Sequence, residues 1–389
     1  MTWINFLHLY QPANSDAYVV EEATEASYKR LVSLLENNPD LKFTWNITGC
    51  LVLRWQELGY GDLIQRIKKL VQAGRVELTG SLAYHPLTPL IPRPEAKRQI
   101  RENTDILKDN FGIDIKLTGF FLPEMAYSPE VGELLQAEGF SWLLLDEIAY
   151  NRQLNQADCS KKFRDKNSGL EIIFRSRSYS NSYVPELVEK ELDQEDEAVI
   201  VTATDGELYG LRHNDPQGVL EKVASDKRLR TRTVSEFLAE AEDGGEVEAH
   251  SCNWESAPEE LAEEHPFASW LRRDNDLQQC IWDLAYTAYD TVEAYGRDDN
   301  YNWARWHLVR GLASCTFWWA SAKDFAYIYG PYAWNPDEVE RGVNELIRSI
   351  RSLEDPATRT IKLQAEQKYV KIKEILWNKH WEEFWKRGG

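Results

Sequence analysis

At 389 residues the chain is longer than one hydrophobic core usually fills, so one large domain plus a smaller one is expected. Its 64 acidic and 45 basic residues leave a formal net charge of −19, which repels phosphate backbones and anionic lipid and so argues against nucleic-acid and membrane partners. Five cysteines, Cys50, Cys159, Cys252, Cys280 and Cys315, contain no C-x-x-C pair, and with no leader-like start and no apolar run near roughly 18 residues they predict reduced thiols in a cytoplasmic protein.

Short β-rich runs recur through the first 250 residues: Trp3–Leu7, Leu41–Ile47, Val76–Thr79, Lys116–Phe121, Trp142–Leu145, Glu171–Phe174, Ala198–Thr204 and Glu246–Ala249. Between them lie stretches of helical period, namely Glu21–Glu36, Gly61–Ala73, Pro94–Asn110, Glu130–Glu138 and Thr233–Glu242. That alternation predicts a parallel α/β sheet, and seven or eight runs fit a barrel better than a small open sheet. The basic run "KRLRTR" (Lys227–Arg232) reads as a solvated face. Beyond about Pro258 the strand signal stops, and helices are expected over Asp274–Tyr295, Trp303–Ala322, Pro336–Leu353 and Pro356–Trp385. The domains are therefore 1–257 and 258–389. Trp377, Trp381 and Trp385 recur every four residues, a stripe that predicts packing against a neighbouring helix.

In a barrel the side chains just past the strand ends share one face, where barrel enzymes keep their active sites. His8 and Gln11 follow the first run, His85 the third, Glu124 the fourth, Asp146 and Glu147 the fifth, Asp205 and Glu207 the seventh, and His250 and Trp254 the eighth. Two carboxylates held across a glycosidic bond are the minimum equipment for cleaving or transferring a sugar. Glu124 and Asp205 suit that task because they stand at different strand ends. Glu207, two residues beyond Asp205, would raise its neighbour's proton affinity by like-charge proximity. Trp254 and the pair Trp318-Trp319 offer indole faces on which sugar rings stack, although a core stripe shared with Trp303 and Trp306 explains the pair equally well. The seven histidines contain no H-x-x-x-H and the cysteines are scattered, so neither a metal nor another cofactor is expected.

"HLYQP" (His8–Pro12), "GRVELTGSLAYHPLTPLI" (Gly74–Ile91), "GFFLPEMAYSP" (Gly119–Pro129) and "TATDGELYG" (Thr202–Gly210) resemble, in order, the signature regions of glycoside hydrolase family 57. "ASCTFWWASAKDF" (Ala313–Phe325) is similar to the family's fifth, aromatic-rich region. The resemblance implies a retaining enzyme of α-glucans, such as an α-amylase, 4-α-glucanotransferase or branching enzyme. It also implies an incomplete TIM-like (β/α)7 barrel followed by a C-terminal helical domain that contributes to the substrate cleft. By the same resemblance Glu124 matches the nucleophile and Asp205 the general acid/base, while His8, Glu77 and Glu207 line the glucose subsite at the scissile bond. Retention requires the two carboxyls about 5–5.5 Å apart. Two places depart from the pattern. Leu211-Arg212 stand where many members carry a His directly after the Gly, which displaces His213, and Ser314-Cys315-Thr316 stand where many carry an Asp. Another α-glycosidase specificity, such as α-galactosidase, and a glycan-binding protein without turnover are the competing expectations.

Overall fold

The computed structural model of this chain describes residues 1–194, 198–321 and 334–387, with side chains to residue 383. The described residues form two compact units, 1–83 with 88–266, and 84–87 with 267–389.

The first unit holds the strands β1 (Thr2–Leu9), β2 (Phe43–Ile47), β3 (Val76–Leu78), β4 (Gly119–Phe120), β5 (Trp142–Asp146), β6 (Lys162–Asp165), β7 (Glu171–Arg175), β8 (Val199–Asp205), β9 (Arg230–Thr231) and β10 (Asp243–Val247). One sheet runs β3-β2-β1-β8 and the other β10-β6-β7-β5-β4. Two seams join them. Gly80 donates to Gly119 and accepts from Phe121, each at 2.9 Å, and the Ser176 N–H donates to the Val201 carbonyl at 2.9 Å. Among the described residues seven mutually parallel strands, β1-β2-β3-β4-β5-β7-β8, thus follow one another around a circuit whose β7–β8 seam is thin. This is the incomplete (β/α)7 barrel, and a helical domain follows it.

Strand parity divides the core. Trp3, Leu7 and Leu9 of β1, Phe43, Trp45 and Ile47 of β2, and Val76 and Leu78 of β3 face outward, packing with Leu31, Leu51, Trp55, Ile67 and Phe111 from the surrounding helices. Ile4 and Phe6 of β1, Trp142 and Leu144 of β5, Ile173 of β7, and Val201 and Ala203 of β8 fill the interior. Burial of both faces is why these strands read as nearly continuous apolar runs. Val234, Phe237 and Leu238 join the interior cluster from the helix Val234–Glu240, whose first turn is fixed by a capping box between Thr233 and Glu236.

Several expectations are corrected. The eighth run is not a barrel strand, because β10 pairs with β6, and β6 hairpins antiparallel onto β7 outside the circuit. The exposed polar positions of β6 hid it from a hydrophobic count, and those of β10 left only Glu246 and Val247 within the eighth run. "KRLRTR" is not wholly a solvated face, since Arg230 and Thr231 form β9 beside Thr2 and Trp3. The helix expected over 303–322 breaks into Tyr301–Gly311 and Ser314–Trp318, because Ala313 bridges Pro86 and the Ser314 N–H donates to the His85 carbonyl. Trp318-Trp319 therefore do not share a helix with Trp303 and Trp306. Ala322 and the end of the aromatic-rich segment, 322–325, lie outside the described residues.

The second unit packs the helices Asp276–Ala294, Tyr301–Gly311, Pro336–Ser352 and Arg359–Arg387. Leu277, Ile281, Leu284, Ala285, Ala288 and Val292 recur at helical spacing and are buried. Trp377 donates to Glu340 at 2.8 Å, whereas Trp381 stays 47% exposed, so the C-terminal stripe only partly packs. The Trp385 side chain lies outside the described residues.

Candidate active site

Parity carries the site residues to the barrel mouth. Ile4, Phe6 and His8 alternate inward along β1, as do Val201, Ala203 and Asp205 along β8, and His8 and Asp205 are register partners. Each side chain is the next inward position above the apolar filling, where the strand ends and polar atoms reach the mouth. His8 Nδ1 lies 2.7 Å from Asn46 Oδ1, one strand across, and its ring stacks on Phe121 at 4.6 Å between centroids. Burial lowers the His8 pKa, against the pull of the Asp205 charge.

Beyond Asp205 the chain winds into the short helical turn Gly206–Tyr209, which sends Glu207 into a buried pocket. Its Oε1 accepts from Gln11 Nε2 at 2.6 Å and from the Tyr28 hydroxyl. Burial first, and the Asp205 charge second, push the Glu207 carboxyl up to about 7. Tyr28 was not singled out from sequence. It sits in a π-helical turn, Thr24–Tyr28, between the helices Ala17–Ala23 and Lys29–Asn37. That turn also brings the Ser27 hydroxyl to the Glu207 carbonyl at 3.2 Å and to the Leu211 N–H at 2.9 Å. A local change of helical winding has no composition signal, though such turns concentrate at functional sites.

Glu124 follows β4 in the turn Pro123–Met125 and is half-buried. It and Met125 adopt left-handed backbone, φ 59° and 49°, a conformation that stores on the order of 1–3 kcal/mol in each non-glycine residue and recurs at functional sites. The Trp254 N–H donates to the Glu124 carbonyl at 3.1 Å, and the indole lies 6.1 Å from Phe121 and 6.2 Å from His8. His8, Phe121, Glu124, Trp254 and Asp205 are thus linked residue to residue.

Arg175, also missed from sequence, links the strand that bears Asp205 to Trp254, whose N–H bonds the Glu124 carbonyl. Its Nη1 donates to the Ala203 carbonyl at 2.8 Å, two residues before Asp205, and its Nη2 to the Trp254 carbonyl at 3.2 Å. Asp146, fully buried, accepts from Arg175 Nε at 2.8 Å and from Arg177 Nη2 at 2.6 Å, while Arg177 Nη1 donates to the Ser256 carbonyl at 2.7 Å. Glu147 accepts the Arg177 N–H at 2.7 Å and the Asn155 N–H at 2.6 Å. Asp146 and Glu147 stand at a strand end as expected, yet they anchor loops. The cue was available in "IIFRSR" (Ile172–Arg177), where an apolar strand ends on two arginines that need buried partners.

Glu77 also points inward but one layer lower, in register with Thr44. Its carboxyl accepts from Thr44 Oγ1 at 2.9 Å, from the Ser235 N–H at 3.1 Å and from the Ser235 hydroxyl, and burial raises its pKa. It is engaged by the helix that plugs the barrel and is not gathered with Gln11 and Glu207. His85, Trp318 and Trp319 belong to the second unit. There His85 Nδ1 is 2.9 Å from Ser314 Oγ, and the two half-buried indoles tilt at 59° with centroids 4.7 Å apart.

The displaced motif has a definite arrangement. Arg212 Nη1 donates to Asp205 Oδ2 at 2.6 Å, whereas His213 stacks on Tyr183 at 3.8 Å between centroids. Among the described residues no three His, Cys, Asp or Glu side chains are placed to hold a metal ion, and no helix is long and apolar enough to cross a membrane.

A parallel barrel with carboxylates and a histidine just past its strand ends has the layout of a barrel enzyme. The GH57-type branching enzyme from the hyperthermophilic archaeon Pyrococcus horikoshii is similar in structure, with a TM-score of 0.70 and 15% identity over 95% of this chain and 94% of that one. The profile of Glycosyl hydrolase family 57 matches residues 5–250, and the chain belongs to that family, as its motifs imply. The α-amylase of Pyrococcus abyssi is 29% identical over 264 residues, 61% of this chain and 39% of that protein. The 4-alpha-glucanotransferase of Thermococcus litoralis is 26% identical over 264 residues, again 61% and 39%. The match therefore spans about two fifths of those relatives' length.

Proposed function

We propose that the protein is a cytoplasmic, retaining enzyme of α-glucans, a hydrolase or transglycosylase, with Glu124 as nucleophile and Asp205 as general acid/base. The observation that supports the reading is that Glu124 and Asp205 follow two separate strands of one barrel, β4 and β8, and that their backbones are linked through Trp254 and Arg175. The five free thiols suit a reducing compartment.

In the first step a Glu124 oxygen bonds the anomeric carbon while the glycosidic C–O bond breaks, and Asp205 passes its proton to the leaving oxygen. In the second step water or a sugar hydroxyl gives its proton to Asp205, attacks the anomeric carbon and releases Glu124. His8, Gln11 and Glu207 hold the sugar whose bond is cleaved, with the Trp254 indole against its C–H face. The protonated share of Glu207 near neutral pH lets it donate to a sugar hydroxyl. Glu77 supports this subsite from the layer below.

Product analysis after incubation with maltoheptaose tests the reading. The wild type is expected to shorten or disproportionate it, and Glu124→Gln and Asp205→Asn to lower turnover by about 100-fold or more. Azide separates the roles: Glu124→Ala should yield a β-glycosyl azide and Asp205→Ala an α-glycosyl azide. Wild-type turnover in both conservative variants would overturn the assignment.

A further inference from the structure

We propose that Arg212 is a positioning residue for Asp205, holding its Oδ2 so that Oδ1 is the oxygen that exchanges the proton with the glycosidic oxygen. The inference rests on Asp205 being the acid/base. Its starting point is the ion pair at 2.6 Å, formed seven residues along the chain in the motif that departs from the family pattern.

The pair is built by the backbone. The Leu211 and Arg212 N–H groups both donate to the Glu207 carbonyl, at 3.1 and 2.8 Å, which folds the chain back over Asp205. The Ser27 hydroxyl accepts the Leu211 N–H as well, at 2.9 Å. Gly210 permits the fold because a Cβ there would stand 2.0 Å from the Ala26 carbonyl oxygen. His213 is carried away to Tyr183, so the cation at Asp205 is the arginine. Among the described residues the titratable groups that feel the Asp205 charge include Glu207 on its own turn, His8 across the register and Tyr28 from the π-helical turn.

The oxygen that accepts from the guanidinium is the less favoured place for a proton, because the carbonyl oxygen of a carboxylic acid is a stronger acceptor than its hydroxyl oxygen. The Asp205 proton therefore resides on Oδ1 and leaves from there as the C–O bond breaks. The carboxylate that forms stays paired with Arg212, which stabilises charge that develops only in the transition state. In the second step Oδ1 takes the proton of the incoming water or sugar hydroxyl. With the side chains 42% and 24% exposed, the pair contributes little to stability, so its consequence lies in the chemistry.

The test compares kcat/KM, which reports the first step, on two substrates. Maltoheptaose needs its leaving oxygen protonated, whereas dinitrophenyl α-maltoside releases a stable phenolate that does not. Arg212→Ala should lose about 10-fold or more on maltoheptaose and less than about twofold on the aryl glycoside, with Arg212→Lys recovering part of the loss. Its thermal midpoint should stay within about 2 °C of the wild type. Equal losses on both substrates, or no loss on either, would overturn the proposal. A wild type that turns over neither substrate would instead remove the reading on which it rests.

Discussion

Glu207 shows how one buried side chain couples the site to stability. Its ordinary value is 4.5, and in the fold burial and Asp205 raise it to about 7. The folded state thus binds more protons than the unfolded state between those values, and the stabilisation present below pH 4.5 is lost as pH rises through 7. Glu207→Gln keeps an oxygen for Gln11 and Tyr28 and removes the ionisation. Urea unfolding at pH 5 and pH 8 should show the variant gaining on the wild type at the higher pH, by on the order of 1–3 kcal/mol. A pH-independent difference would show that Glu207 is not the group responsible. Glu77 behaves differently, because its removal leaves Ser235 and Thr44 donors buried beside the barrel floor. Glu77→Ala is expected to destabilise the fold by about 2–3 kcal/mol in the same assay.

The elements were legible where burial wrote them into the sequence. The strands around the barrel and the inward parity that ends in His8 and Asp205 follow from apolar runs and from the residue type just past them. β6 was not legible, since a short strand with exposed charges carries no continuous apolar run, and β10 was read only at its end, in the eighth run, because Asp243–Glu246 are exposed. The break at Ala313 was hidden because Pro86, more than two hundred residues earlier in the chain, causes it. Tyr28 escaped for a similar reason, since a π turn changes which face a helical residue presents. Arg175 makes the network around Asp146 an element-scale device, bonding β8, β5 and the segment after β10 at once. Arg175→Met should destabilise by about 3–5 kcal/mol, because it leaves two carbonyls and part of a carboxylate unpaired. Paired with Asp146→Asn in a denaturation cycle, it should be clearly non-additive. Simple additivity would mean that the bonds act independently.

At the scale of the molecule, the family was readable because its motifs sit at strand ends, where residue type is dictated by chemistry rather than by packing. Composition gave exclusions only. The charge of −19 repels polyanions but is indifferent to a neutral glucan. Initial rates on maltoheptaose should therefore change by less than about twofold between about 0.05 and 0.5 M sodium chloride. A steep salt dependence would point to a charged substrate. The central claim is that Glu124 and Asp205 act as a retaining pair, and the anomeric configuration of the first product tests it most directly. Proton NMR during the first turnovers on maltoheptaose should show the α-anomer appearing before mutarotation, whereas an initial β-anomer would contradict the pair of roles assigned here.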